Sequence, residues 1–166
     1  MIREGSRVLR FEAAVLGAVT SERPGVARWS ELAVYLLCDG TYILSKVGRS
    51  TVAHTEDCDR VTWRMPHWID APGDEQAVRR IPCTVCLPVV GRAIDPMLVV
   101  EPTRYSVRVC TDVETLVDTL AENRSRERLP RLVADLLAQV AAHVPELARQ
   151  AETLGVIKPV LRTSTS

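Results

Sequence analysis

Four residues in this 166-residue chain have the types and spacing to hold a metal ion. His54 and Cys58 lie in V-A-His54-T-E-D-Cys58, Cys83 and Cys86 lie in P-Cys83-T-V-Cys86-L-P, and 24 residues separate the pairs. A Cys-x-x-Cys knuckle puts two thiolates on one side of a tight turn, where a single tetrahedral ion can bridge them. His54-x3-Cys58 leaves a strand end and turns back, so an imidazole nitrogen and a third thiolate can complete the tetrahedron. Three sulfurs and one nitrogen make a closed Cys3His set, which structural zinc favours and which magnesium and calcium disfavour. The expectation is one structural Zn2+ per chain, with binding free energy acting as folding free energy. The competing readings are a redox dithiol at Cys83 and Cys86, or four ordinary side chains. A redox dithiol opens a helix after a strand in a βαβ unit, whereas Pro88 follows here and no such unit is evident. His67 and Asp57 are the substitutes if one of the four is not a ligand.

The other two cysteines, Cys38 and Cys110, stand alone in the strand-like runs VYLLC and YSVRVC. There they read as small buried hydrophobes.

The elements that must position the site come from the surrounding pattern. Residues 7–19 read as β and end before the turn chemistry of SERPG. RWSELAVYLLC and TYILSKVGRSTVAH flank Asp39-Gly40, which predicts a hairpin with a two-residue type I′ turn. Leu32, Val34 and Leu36 share one face of the first arm, and Ala33, Tyr35 and Leu37 share the other. Both faces are apolar, so this strand is expected to be central and covered on each side. Residues 55–96 are interrupted by Pro66, Pro72, Pro82, Pro88 and Pro96, with only DEQAVRR (74–80) shaped like a short helix. A stretch this long with so little regular structure needs either disorder or a staple.

Strand-like composition returns in residues 97–110. Thr111-Asp-Val-Glu114 then forms a capping-box signature for a helix with Leu116, Val117 and Leu120 on one face. A second helix over 129–144 carries Leu132, Val133, Leu136, Leu137 and Val140, and Pro145 should end or bend it. The fold expected is α+β: an antiparallel sheet from residues 7–54 and 97–110, a zinc-stapled loop, and two or three C-terminal helices. In domain terms, residues 1–110 form a β-rich domain containing the zinc module 54–88. Residues 111–155 form a helical segment, and residues 156–166 a flexible tail.

The run from His54 to Pro88 resembles the Ada-type metal-binding module. The resemblance rests on the H-x3-C pair of this chain, a later short helix containing alanine, and P-C-x-x-C-x-P. That module is a small zinc domain of a bacterial alkylation-repair protein, also appended to bacterial nucleases and hypothetical proteins. The resemblance covers about a fifth of the chain and implies a zinc fold with His54, Cys58, Cys83 and Cys86 as ligands. In the repair protein all four ligands are cysteines, and the first accepts a methyl group from DNA phosphotriesters. Here the first position is His54, and an imidazole cannot replace a zinc-activated thiolate in that reaction. The preceding hairpin is similar to segments of uncharacterised actinobacterial and actinophage proteins, which implies no activity.

Composition narrows the function classes. The chain is 46% apolar and 25% charged, and 21 basic residues balance 21 acidic ones. Zero net charge removes the simplest case for a polyanion-coating protein. No apolar run reaches the 18 or more residues needed to cross a bilayer, and MIREGSRVLRFE lacks the apolar core of a signal peptide. A cytoplasmic protein without a membrane partner is expected. No nucleophile elbow, P-loop, dinucleotide fingerprint or HExxH is present, and a closed Cys3His site leaves zinc no open position, so no enzyme is expected. The reading favoured is a non-catalytic zinc-stabilised module that binds another protein in an accessory or regulatory role. The alternative is nucleic-acid binding, with Arg49, Arg60, Arg64, Arg79 and Arg80 reaching phosphates and Trp63 or Trp68 stacking. Residues 41–92 hold seven basic and six acidic side chains, which weighs against it. The denser run Arg124, Arg126, Arg128 and Arg131 reads as a solvated linker.

Overall fold

The computed structural model describes residues 1–4, 7–55, 58–60, 81–86, 99–101, 103–121 and 130–153. The expected helix at 74–80, the tail at 156–166 and the residues Asp57, Trp63, Arg64, His67, Trp68, Arg79, Arg80, Arg124, Arg126 and Arg128 lie outside them.

The architecture is α+β. A short hairpin, β1 (Ile2–Glu4) and β2 (Arg7–Leu9), precedes β3 (Ala13–Thr20), β4 (Arg28–Leu37) and β5 (Tyr42–Ser50). Then come β6 (Val52–His54), β7 (Ile81–Pro82), β8 (Val99–Val100) and β9 (Arg104–Cys110). The expected antiparallel sheet is present as a four-stranded unit in the order β3-β4-β5-β9, antiparallel throughout. The rest of the β structure separates from it: β1 and β2 pair with each other, and β7-β6-β8 form a small second sheet. Within that second sheet β6 pairs antiparallel with β8 but parallel with β7. The connection between β6 and β7 is long enough for a parallel crossover, which needs a dozen or more residues.

Strand β4 is central and covered on both faces, as its two apolar faces require. Leu32 and Val34 face three helices, α1 (Val113–Ala121), α2 (Arg131–Ala141) and α3 (Pro145–Thr153). Leu16, Leu44, Cys110, Leu116, Leu120, Leu136, Leu137, Val140 and Leu147 complete that core. Removing an aliphatic side chain of this kind from water contributes roughly 1.5–3 kcal/mol. On the opposite face Tyr35 and Leu37 pack with Ile2, Leu9, Phe11, Ile43 and Val107, so the N-terminal hairpin covers part of that side. Phe11 and Tyr35 meet edge to face with centroids 5.6 Å apart.

Two local expectations are corrected. The β4–β5 loop has three residues rather than a two-residue type I′ turn. Gly40 N donates to Leu37 O at 3.1 Å, Leu37 N donates to Thr41 O at 2.9 Å, and Gly40 takes φ 88°. Asp39 Oδ1 accepts the Thr41 N–H at 2.9 Å, a local bond that stabilises this longer turn. At α1 the cap is Asp112, not Thr111. Asp112 Oδ1 accepts from Thr115 N at 2.7 Å, while the Thr111 hydroxyl donates to the Asp112 carboxylate. The helix over 129–144 ends before Pro145 as expected, at Ala141, and Pro145 opens α3 as its first residue, the helical position where a missing N–H costs nothing.

Only Thr51 separates β5 from β6, and its amide donates to Ala27 O at 2.8 Å. The chain therefore passes from the large sheet into the small one almost without a break.

Candidate metal centre

The centre is built around β6, whose three residues are all buried. As the middle strand of the small sheet it bonds on both sides. Cys83 N donates to Ala53 O at 2.9 Å from the β7 side, and Glu101 N donates to Val52 O at 2.9 Å from the β8 side. This ladder places Cys83 beside the end of β6, where His54 stands. The chain then reverses: Cys58 N donates to Thr55 O at 3.1 Å, returning Cys58 toward His54. On the opposite arm a turn over 84–86 folds Cys86 back, and its amide donates to Cys83 Sγ at 3.4 Å.

The four side chains predicted from spacing converge. His54 Nδ1 lies 3.4 Å from Cys58 Sγ, Cys58 Sγ 3.7 Å from Cys83 Sγ, and Cys83 Sγ 3.3 Å from Cys86 Sγ. One ligand atom from each residue falls within 4.8 Å of every other. Ligands on a tetrahedral ion at about 2.3 Å stand about 3.8 Å apart, so the cluster has the dimensions of a single metal site. The sulfurs are too far apart for the about 2.05 Å of a disulfide, and all five cysteines are free. Burial is deep: His54 is 1% exposed, Cys86 2%, Cys58 and Cys83 7%. Val52 and Ala27 supply the apolar wall.

The thiols differ in their surroundings. Burial works against ionisation at Cys86, but the Thr55 backbone N–H at 3.3 Å, the Thr55 hydroxyl and the neighbouring thiols outweigh it. They bring Cys86 down to about 7. Burial pushes the Cys58 thiol up, against a backbone hydrogen bond from Arg60. Thiolates are the metal-binding form, and a cation at the centre would favour them further.

Glu101, just after β8, contacts the site from behind. Its carboxylate meets His54 Nε2 at 2.9 Å, Arg28 Nε at 2.9 Å and Ser50 Oγ at 2.8 Å, and a second Arg28 nitrogen also bonds it. The Arg28 hydrogen bonds, joined by those from His54 and Ser50, outweigh partial burial and hold the carboxyl down to about 2. Thr55, Glu101, Arg28 and Ser50 were not anticipated from the sequence. The one usable signal was an isolated carboxylate closing the apolar run MLVVE.

Two of the five arginines considered for phosphate contact are described. Arg49 Nε donates to Glu31 Oε1 at 2.7 Å on the large sheet. Arg60 is exposed beside the knuckle, its guanidinium 3.4 Å from Thr84 Oγ1. Cys38 is exposed at the hairpin tip, contrary to the buried position expected for it, because the three-residue loop carries it past the end of β4. Cys110 is fully buried against the helices. Among the described residues no helix is long and apolar enough to cross a membrane. No protein-family model, curated protein or solved structure matches this chain.

Proposed function

We propose that this chain is a non-catalytic, zinc-stabilised binding module, and that its partner is another protein. The observation that carries the zinc reading is the buried convergence of His54, Cys58, Cys83 and Cys86. Three sulfurs and an imidazole complete a tetrahedron, leaving no position for a substrate or an activated water. Zinc at this point ties β6, the Cys58 turn and the β7 knuckle together, so metal binding contributes to folding. The four ligand positions also share the spacing of the Ada-type module the sequence resembles, with His54 standing where the repair member has its first cysteine.

A protein partner is supported by the neutral overall charge and by Val15 and Val109. These two valines end one cross-strand row, Val15–Tyr35–Ile43–Val109, and are 60% and 65% exposed. Nucleic-acid binding is the second reading, supported by the exposed Arg60 at the knuckle.

The deciding experiment is native mass spectrometry with metal analysis of protein purified without added metal. One zinc per chain, with compact charge states lost on chelation, is expected; a metal-free, equally compact protein would overturn the zinc reading. A protein adduct present for the parent and lost for Val15→Asp/Val109→Asp supports the protein partner. A salt-sensitive nucleic-acid adduct lost with Arg60→Ala would replace it with the second reading.

A further inference from the structure

We infer that Glu101 is a positioning residue for metal binding, which keeps the His54 proton on Nε2 so that Nδ1 is the ligand atom. This rests on the zinc reading above and goes beyond it, since the ligand set alone does not say which imidazole nitrogen binds or what holds it.

The argument starts from the carboxylate. Glu101 meets Arg28 Nε at 2.9 Å through Oε2 and a second guanidinium nitrogen through Oε1, and it accepts from Ser50 Oγ at 2.8 Å. Its backbone is pinned separately by the Glu101 N to Val52 O bond of 2.9 Å. An ionised carboxylate only accepts hydrogen bonds. The contact of 2.9 Å to His54 Nε2 therefore requires the imidazole to donate there. A neutral imidazole that donates from Nε2 carries its lone pair on Nδ1. Nδ1 is the nitrogen that faces the sulfurs, 3.4 Å from Cys58 Sγ. The ring is thus oriented and its tautomer selected by groups that belong to the protein alone. Metal-binding histidines characteristically use their second nitrogen in this way, and loss of such a partner weakens metal binding about 10–100-fold.

Arg28 has a second effect. Three thiolates around a dication leave one negative charge, and Glu101 adds another. The Arg28 guanidinium, bonded to Glu101, offsets part of that excess. Arg28 begins β4, Ser50 ends β5 and Glu101 precedes β9. The group that orients His54 is thereby anchored to two strands of the large sheet, β4 and β5.

The test uses the full chain loaded with Zn2+ and, for spectroscopy, with 113Cd2+. Long-range 1H–15N correlation of His54 should show Nε2 protonated, and 113Cd coupling should appear on Nδ1. Chelator competition should give a zinc dissociation constant raised about 10–100-fold in Glu101→Ala, with a smaller rise in Arg28→Lys, which keeps the charge and loses the fork. Glu101→Gln serves if Glu101→Ala does not fold, and its affinity should also fall, because Gln offers Arg28 only one acceptor oxygen. Leu136→Ala, in the core away from the site, should lower the melting temperature and leave zinc affinity unchanged. A loaded parent with Nδ1 protonated overturns the inference and leaves the zinc reading standing. So does a folded Glu101 variant with parental affinity. A parent that takes up neither ion overturns both.

Discussion

The side chain of Gln139 on α2 accepts a hydrogen bond from the backbone amide of Ala18 on β3, Oε1 to N at 3.0 Å. Strand β3 is an edge of the four-stranded sheet, so among the described residues this N–H has no neighbouring strand to donate to. Exposed edge amides invite pairing with other chains, and here a helix side chain occupies one. The contact depends on Gly17, which sits at a register shift between Val15 and Gly17. A Cβ at Gly17 would stand 3.0 Å from Gln139 Cβ and 3.2 Å from Val140 Cγ2.

Gly17→Val should therefore push α2 off the sheet edge and destabilise the protein by about 1–3 kcal/mol, as overpacking generally does. Urea denaturation measures it. Combining Gly17→Val with Gln139→Gly should recover part of the loss by removing the nearer obstacle. A Gly17→Val protein as stable as the parent would show that α2 does not pack this closely.

His54→Ala, Cys58→Ser, Cys83→Ser and Cys86→Ser should each lower zinc content and melting temperature, and chelation should lower the parent to a similar level. Cys38→Ser and Cys110→Ser should retain one zinc per chain, with Cys110→Ser losing only packing against the helices. Metal analysis and thermal melts of the six variants check both statements. Four ligand variants that melt like the parent would remove the structural role of the site.

Thiol labelling should separate the cysteines into three groups. Cys38 is exposed and should react first. Cys110 is fully buried, and burial pushes its thiol up, so it should react only on unfolding. Cys58, Cys83 and Cys86 should be protected while metal is bound and react after chelation. Peptide mass spectrometry after timed alkylation reads the order. Equal rates for Cys38 and Cys110 would contradict the packing of β9 against α1.

The cap of α1 makes stability depend on pH in a defined direction. The Thr115 backbone N–H, with bonds from the Thr115 and Thr111 side chains, holds the Asp112 carboxyl below its ordinary value. A carboxyl depressed in the folded state stabilises it above the unfolded pKa of about 3.9, and the contribution is lost as pH falls through the folded value. The parent should thus exceed Asp112→Ala in stability at neutral pH, with the difference shrinking on acidification below about pH 4. The His54, Cys58, Cys83 and Cys86 cluster is common to both proteins and cancels in the comparison. A difference that stays constant through that range would assign the effect to something other than the charged cap.

The residues near in sequence declared their structure through local chemistry. Ligand types and spacing singled out His54, Cys58, Cys83 and Cys86, because both short pairs are set by turns of three or four residues. The two apolar faces of β4 announced a central strand, and the periodicity of Leu116, Val117 and Leu120 announced a buried helix face. Turn details were less legible. Asp39 and Asp112 each bond a backbone amide two or three residues on, and those bonds moved the turn type and the helix cap from their expected forms.

By itself, then, the sequence determined the α+β class, the central hairpin and the identities of the four converging side chains, since each follows from neighbours along the chain. Only the tertiary structure decided that β6 lies between β7 and β8 in a separate sheet, with one parallel partner, because pairing across 29 or more residues leaves no local trace. It also decided that Glu101, 47 residues from His54, faces the imidazole while bound to Arg28, 73 residues away. Hydrogen bonds between a carboxylate and groups that distant depend on where three strands end in space, and no periodicity or spacing encodes that.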